Sequence, residues 1–315
     1  MRSMAVALVL AAAALAQQPQ NFDNVEIHTL PVQNNVYMLV GAGGNITVQT
    51  GKDGVLVVDT EYPQLTEKIY AAIRKLSDRP LRYIVNTHVH ADHTAGNEKL
   101  AKLGSTIAGG NFAGDLSNAG EGATIIAHEN VLKRMSEPPA GQPKPAFGIW
   151  PTDTYFTAEK DIFFNGEAIQ IIHLPSAHTD GDSLVFFRRS DVLATGDIFT
   201  PGHYPIIDLA NGGNIQGLIA ALNRIIQIAI PAEKQEGGTM IVPGHGRLCD
   251  QADVVEYRDM TTIIRDRIQD MVKKGMTLEQ VKAARPTRDY DPLYGTTSFW
   301  TPEMFVEAVY KSLKK

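Results

Sequence analysis

Cysteine is almost missing from this sequence: Cys249 stands alone, so no disulfide can form within the chain. Stability must come from an apolar core and from any metal the chain holds. The lone thiol follows Gly246-Arg247-Leu248 and reads as a small packed side chain rather than a ligand. Runs of lysine or arginine are also absent, and the formal net charge is only -6. That excludes the basic footprint of a nucleic-acid binder and leaves metals and small-molecule substrates as the expected partners. Long apolar runs are missing too. The one that opens the chain, Met4 to Leu15 behind Arg2, is too short to cross a bilayer comfortably. With Ala14-Leu15-Ala16 ahead of Gln17 it fits a secretory signal peptide, so residues 1–16 are expected to be removed. An uncleaved anchor is the competing reading. A periplasmic or secreted bacterial protein follows, without stable membrane association after cleavage. Residues 17–315 carry no linker, repeat or composition shift, and are expected to form a single domain with a helical C-terminal tail.

What the sequence does contain is concentrated in Thr87-His88-Val89-His90-Ala91-Asp92-His93-Thr94-Ala95-Gly96-Asn97. Three histidines and a carboxylate occupy six positions. The apolar, β-branched run from Leu81 to Asn86 reads as a buried strand that delivers this loop, and Thr94 to Leu100 as the opening of a helix. Residues two apart project to the same side of an extended backbone. His88 and His90 can therefore serve one ion while Asp92 and His93 face another.

Around this motif the chain alternates strands and helices. Val36 to Val40, Asn45 to Gln49 and Val55 to Val58 are predicted strands, the last apolar on both faces and ending at Asp59. Asp59 is either a partner for a ligand histidine or a plain strand-end residue. Leu65 to Leu76 has the spacing of an amphipathic helix, Ser105 to Ala108 reads as a short strand, and 109–122 as a loop. Thr124 to Met135 is read as helical, with His128 a surface or packing residue. The proline-rich stretch from Glu137 to Pro151 is a long loop, either a substrate lid carrying Phe147, Ile149 and Trp150 or a connector packed by those same aromatics.

Four further strands are predicted at 161–164, 168–174, 183–188 and 192–194, with His173 inside a strand and His178 on the loop that follows it. Helix 214–230 leads to strand Met240-Ile241-Val242, which ends in Pro243-Gly244-His245. Strands thus finish in the first motif, His178, Asp197 and His245, and collecting such residues at one end argues for an α/β fold. Helices at 254–274, 277–284 and 302–313 complete the chain.

The ordered set His88-x-His90-x-Asp92-His93, His178, Asp197 and His245 resembles the metallo-β-lactamase superfamily across nearly the whole mature chain. The resemblance implies a four-layer αβ/βα sandwich with metals at the edge between two sheets. It assigns His88, His90 and His178 to a first zinc and Asp92, His93 and His245 to a second, with Asp197 bridging. Two Zn2+ per chain are expected, with iron or manganese as alternatives. A zinc-bridging hydroxide would then attack an ester-, thioester-, lactone- or lactam-type substrate, and Asp92 is the residue whose loss should depress turnover.

Where one lactamase subclass supplies a cysteine this chain has Asp197, which is more like the glyoxalase II, lactonase and general hydrolase branches. The export signal suits a β-lactamase that destroys antibiotics, which is the alternative function. A di-iron redox protein and a non-catalytic metal-binding protein are further alternatives. Asp180 or Asp182 is expected to orient a ligand imidazole, and His203 with Tyr204 to line the pocket.

Overall fold

The computed structural model describes residues 21–106 and 122–314. Residues 1–20, which include the expected signal peptide, and residues 107–121 lie outside these. A first sheet is built from β1 (His28–Gln33), β2 (Val36–Val40), β3 (Ile46–Gly51), β4 (Gly54–Val58), β5 (Leu81–Val85), β6 (Thr124–His128) and β7 (Asp153–Tyr155), hydrogen-bonded in chain order. Its first four strands form an antiparallel meander, and β4 through β7 run parallel. The parallel half needs crossovers. They are α1 (Thr66–Leu76) between β4 and β5, α2 (Ala91–Thr94) with α3 (Asn97–Lys102) between β5 and β6, and α4 (Glu129–Ser136) between β6 and β7.

The second sheet has the order β12-β11-β10-β9-β8 and comprises β8 (Glu159–Phe164), β9 (Glu167–His173), β10 (Ser183–Phe187), β11 (Val192–Ala194) and β12 (Met240–Val242). Helix α5 (Ile215–Ile228) connects β11 to β12, the parallel pair of this sheet. The chain closes with α6 (Gln251–Lys273), α7 (Leu278–Ala284), α8 (Asp291–Tyr294) and α9 (Pro302–Leu313).

Three apolar interfaces stack these elements into four layers. Leu56, Val58, Val85 and Ile126 of the first sheet meet Ile169, Ile171, Val185 and Phe187 of the second. The outer face of the first sheet, with Val55, Val57 and Ile84, is covered by Ile69 and Ile73 of α1 and Leu100 of α3. Leu184, Leu193 and Ile241 on the outer face of the second lie under Leu218 and Leu222 of α5, Met260 and Ile264 of α6, and Phe305 and Val309 of α9. Strands buried on both faces read as continuous apolar runs, as these do.

One element differs from its sequence reading. Thr124 to His128 is strand β6, and only from Glu129 is the segment helical. The run Thr-Ile-Ile-Ala is short and β-branched, and a site beside β5 at the centre of a parallel sheet decides its conformation. His128 ends the strand and caps α4, its Nδ1 accepting from the Asn130 N–H at 3.3 Å, with its ring stacked 3.5 Å from that of His173. Ser105 makes only an isolated bridge to Gly122, Thr106 is not in a strand, and residues 107 and 108 of the strand expected there lie outside the described residues. Cys249 is buried in an isolated bridge opposite Ile241, and burial pushes its thiol up to about 12.

Candidate metal centre

Loops leaving both sheets meet at one edge. The loop after β5 carries His88 to His93, that after β9 carries His178, that after β11 carries Asp197, and that after β12 carries His245. A backbone bond from Ser183 N–H to the Thr87 carbonyl (2.8 Å) and another from Asn45 N–H to the Gly244 carbonyl (2.7 Å) tie the sheets together there. The seven side chains fall into two groups of donor atoms: His88, His90, His178 and Asp197, and Asp92, His93 and His245.

Asp197 serves both groups. Its Oδ2 lies 3.9 Å from His88 Nε2 and 3.8 Å from His178 Nε2. Its Oδ1 lies 3.2 Å from His93 Nε2 and 3.6 Å from His245 Nε2. Two glycines make room for this. A Cβ on Gly244 would stand 2.0 Å from Asp197 Oδ1, and one on Gly44 2.2 Å from His93 Cε1.

Hydrogen bonds on the far side of each ring decide which nitrogen faces inward. Asp59 Oδ2 accepts from Thr87 Oγ1 (2.7 Å) and from His93 Nδ1 (2.8 Å). The Thr87 hydroxyl, its proton committed to Asp59, accepts from His88 Nδ1 at 3.0 Å. His178 Nδ1 donates to the Ile206 carbonyl (2.8 Å), and His90 Nε2 donates to Asp208 Oδ2 (2.8 Å). His88, His93 and His178 thereby present unprotonated Nε2, and His90 presents Nδ1. His90 Nδ1 and His178 Nε2 face each other at 3.0 Å, and His88 Nε2 and Asp197 Oδ1 are buried without any hydrogen-bond partner. Lone pairs converging without donors fit a cation, and the imidazole and carboxylate set suits zinc.

The electrostatics agree. Burial pushes His88 well below the ordinary imidazole range, with His93 adding to the effect, and burial with His90 holds His178 at about 4. These rings stay neutral and keep their lone pairs. Burial would lower His93 too, but the carboxylates of Asp197, Asp92 and Asp59 outweigh it and raise that ring well above its usual value. Asp92 is held at about 2 because His93 and His245 outweigh its burial. Positive charge is thus favoured at this spot, whether a proton or a metal carries it. His88, His93, His178 and Asp197 are at most 6 % exposed, whereas His90, Asp92 and His245 are 28, 27 and 33 % exposed and form the open side.

The partners of the ligand rings were only partly foreseeable. Asp59 does orient His93, as one reading of the strand end had it. Asp180 instead pairs with Arg134, and Asp182 caps Thr179, so neither carboxylate meets a ligand ring. That duty falls to Asp208, which the sequence reading passed over. Tyr204 is fully buried, its hydroxyl bonded to the Thr287 carbonyl and to Asp291, and His203 Nδ1 donates to the Tyr204 carbonyl. Tyr204 thus anchors the C-terminal helices, and the His203 ring packs edge-on to Phe299 with 5.6 Å between ring centres. The 137–151 stretch is seated as a connector: Asn97 Nδ2 donates to the Ile149 carbonyl, and Ile149 and Trp150 pack against Val89, Val131 and Met135.

With this geometry the chain can be compared with known proteins. The family model for the metallo-beta-lactamase superfamily matches residues 39–245, and the chain belongs to that superfamily. The linear primary-alkylsulfatase of Pseudomonas sp. (strain ATCC 19151) is 26% identical over 283 residues, taking in 78% of this chain and 52% of that protein. Among solved structures, the stereoselective inverting sec-alkylsulfatase Pisa1 from Pseudomonas sp. superposes with a TM-score of 0.64 at 15% identity, over 90% of this chain and 50% of that one. A metallo-beta-lactamase from Pontibacter korlensis gives 0.57 at 15%, over 75% of this chain and 99% of that one. The DIM-1 metallo-beta-lactamase gives 0.55 at 20%, over 76% and 98%. At these identities the structural likenesses speak for the fold. The chain spans about half the length of the alkylsulfatases it matches.

Proposed function

We propose that this chain is a metal-dependent hydrolase that binds two zinc ions and cleaves an ester-, thioester-, lactone- or lactam-type substrate. The observation that carries the reading is Asp197, which offers one carboxylate oxygen to each of two groups of inward-facing donors. Two bound zinc ions would supply a water nucleophile at neutral pH and a Lewis acid for the scissile group. His88, His90 and His178 would hold the first ion, Asp92, His93 and His245 the second, and Asp197 both. Asp59, Thr87 and Asp208 hold the imidazoles in the tautomers that ligation needs, and the exposed flank at His90, Asp92 and His245 is where substrate enters. Iron or manganese would fit the same donors less specifically.

A sulfate ester is a second reading, supported by the name of the alkylsulfatase relative. One preparation separates these readings: metals are counted by elemental analysis, and the same protein is offered nitrocefin, a lactone, a thioester, a carboxylic ester and an alkyl sulfate. Two zinc ions with ester turnover support the proposal. Nitrocefin turnover alone would move it to β-lactamase, and alkyl sulfate turnover alone to sulfatase. Two zinc ions without turnover of any substrate would leave a metal-binding protein.

We also propose that residues 1–16, which lie outside the described ones, direct export and are then removed. N-terminal sequencing of the protein from a native-type host should begin at Gln17; a chain that still begins at Met1 would reject cleavage. Among the described residues no helix is long and apolar enough to cross a membrane.

A further inference from the structure

Against the exposed edge of the centre lies a cavity of about 380 Å³, bounded by His90, the 206–209 loop and α9. Its apolar walls are Ile206, Ile207, Leu209, Trp300, Met304 and Ala308. The polar groups at its edge are already committed to one another. His90 Nε2 bonds to Asp208, which also accepts from Asn211 Nδ2 at 2.7 Å. Lys311 Nζ donates to Glu307 at 2.6 Å, Lys282 pairs with the other oxygen of Glu307, and Trp300 Nε1 donates to the Pro205 carbonyl at 3.1 Å. Glu307 is one carboxylate between two ammonium groups, so the charge left over lies at the solvent rim, where Lys311 is 55% exposed. What remains is hydrocarbon surface.

The loop between the cavity and the centre belongs to both. Its Ile206 carbonyl holds His178 and its Asp208 carboxylate holds His90, while the side chains of Ile206, Ile207 and Leu209 wall the cavity. We infer that this cavity receives an aliphatic chain of the substrate, whose hydrolysable group sits on the centre, and that the C-terminal helix α9 sets chain-length preference through Met304. This rests on the hydrolase reading above and names the substrate within it. A short polar substrate would leave the walls uncovered.

The test is a series of p-nitrophenyl esters from acetate to decanoate assayed on the zinc-loaded protein. Burial of each methylene is expected to raise kcat/KM about three- to fourfold until the cavity is full. Met304→Trp fills the cavity, and Leu209→Asn makes its wall polar; each should cut the decanoate-to-acetate ratio by an order of magnitude or more. Met304 is 42% exposed, so its replacement does not depend on repacking a core. A binding readout stands apart from turnover. In a Trp150→Phe background, where Trp300 is the remaining indole, 10-bromodecan-1-ol should quench emission saturably, and Leu209→Asn should weaken that binding. Turnover that is independent of chain length, or unsaturable quenching, would overturn the cavity assignment. Protein that hydrolyses no ester of any length but is still quenched saturably would overturn the carboxylic-ester reading of the substrate and keep the chain site.

Discussion

Asp208 accepts a 2.8 Å hydrogen bond from His90 Nε2 across 118 residues of sequence. That bond fixes the tautomer with which His90 turns Nδ1 toward His178, so the carboxylate acts on any bound metal through the ring. Replacement by alanine should reduce zinc affinity or turnover about 10–100-fold. Zinc competition with a chelating dye, read beside far-ultraviolet circular dichroism, checks it. Unaltered affinity in a folded variant would deny Asp208 this role.

Asp197 and Asp92 should differ in what their loss removes. Asp197 reaches both donor groups and Asp92 only the second, where its Oδ2 lies 3.2 Å from His245 Nε2. Asp92→Ala is expected to retain the first zinc and lose most turnover, whereas Asp197→Ala should weaken both ions. Elemental analysis after dialysis decides it. Equal metal content in the two variants would contradict the bridging position.

Gly244 is a packing requirement of the same carboxylate. Alanine there places a methyl carbon 2.0 Å from Asp197 Oδ1 and 2.6 Å from the Gly196 carbonyl carbon, so it meets backbone as well as the carboxylate. Overpacking of this kind costs about 1–3 kcal/mol of stability. Misplacement of a reacting group by an ångström costs about 100-fold in rate. Gly244→Ala should therefore lose kcat/KM far more than melting temperature, and a fully active variant would show that the loop yields.

Stability should depend on pH through the stacked imidazoles of His128 and His173. Burial, and then the charge of His173, hold His128 at about 4. The unfolded ring titrates near 6.5, so between these values the unfolded chain binds the extra proton. The contribution is complete above about 6.5 and is lost as the pH falls toward 4. His128→Gln retains an acceptor for the Asn130 N–H without titrating. Melting curves of both proteins in chelator should converge as the pH drops; a constant gap would exclude His128 as the source.

Local signals were read well where chemistry and spacing coincide. His88, His90, Asp92 and His93 fall within six positions, and the structure gathers them. Val55 to Val58 is apolar on both faces, and it lies inside the first sheet with Asp59 at its end. Asp197 and His245 stood out as ligand-type residues at strand ends, but their assignment to particular metals came only through resemblance to a family. Asp208 and the Ile206 carbonyl carried no signal, since their role comes from where a loop of the second half passes the first motif. The Thr124 to His128 run was misread because five residues with three apolar ones in a row do not reveal their period, and its neighbour in the sheet chose for it.

His93 and His245 turn their Nε2 atoms to each other at 3.3 Å although 152 residues separate them along the chain. The donor set draws on loops of both sheets, and nothing in the first half alone can complete it. Contacts of such long sequence separation form late in folding. The centre therefore cannot nucleate its own fold; occupation of both donor groups would require that synthesis has passed residue 245 and that the two halves have docked.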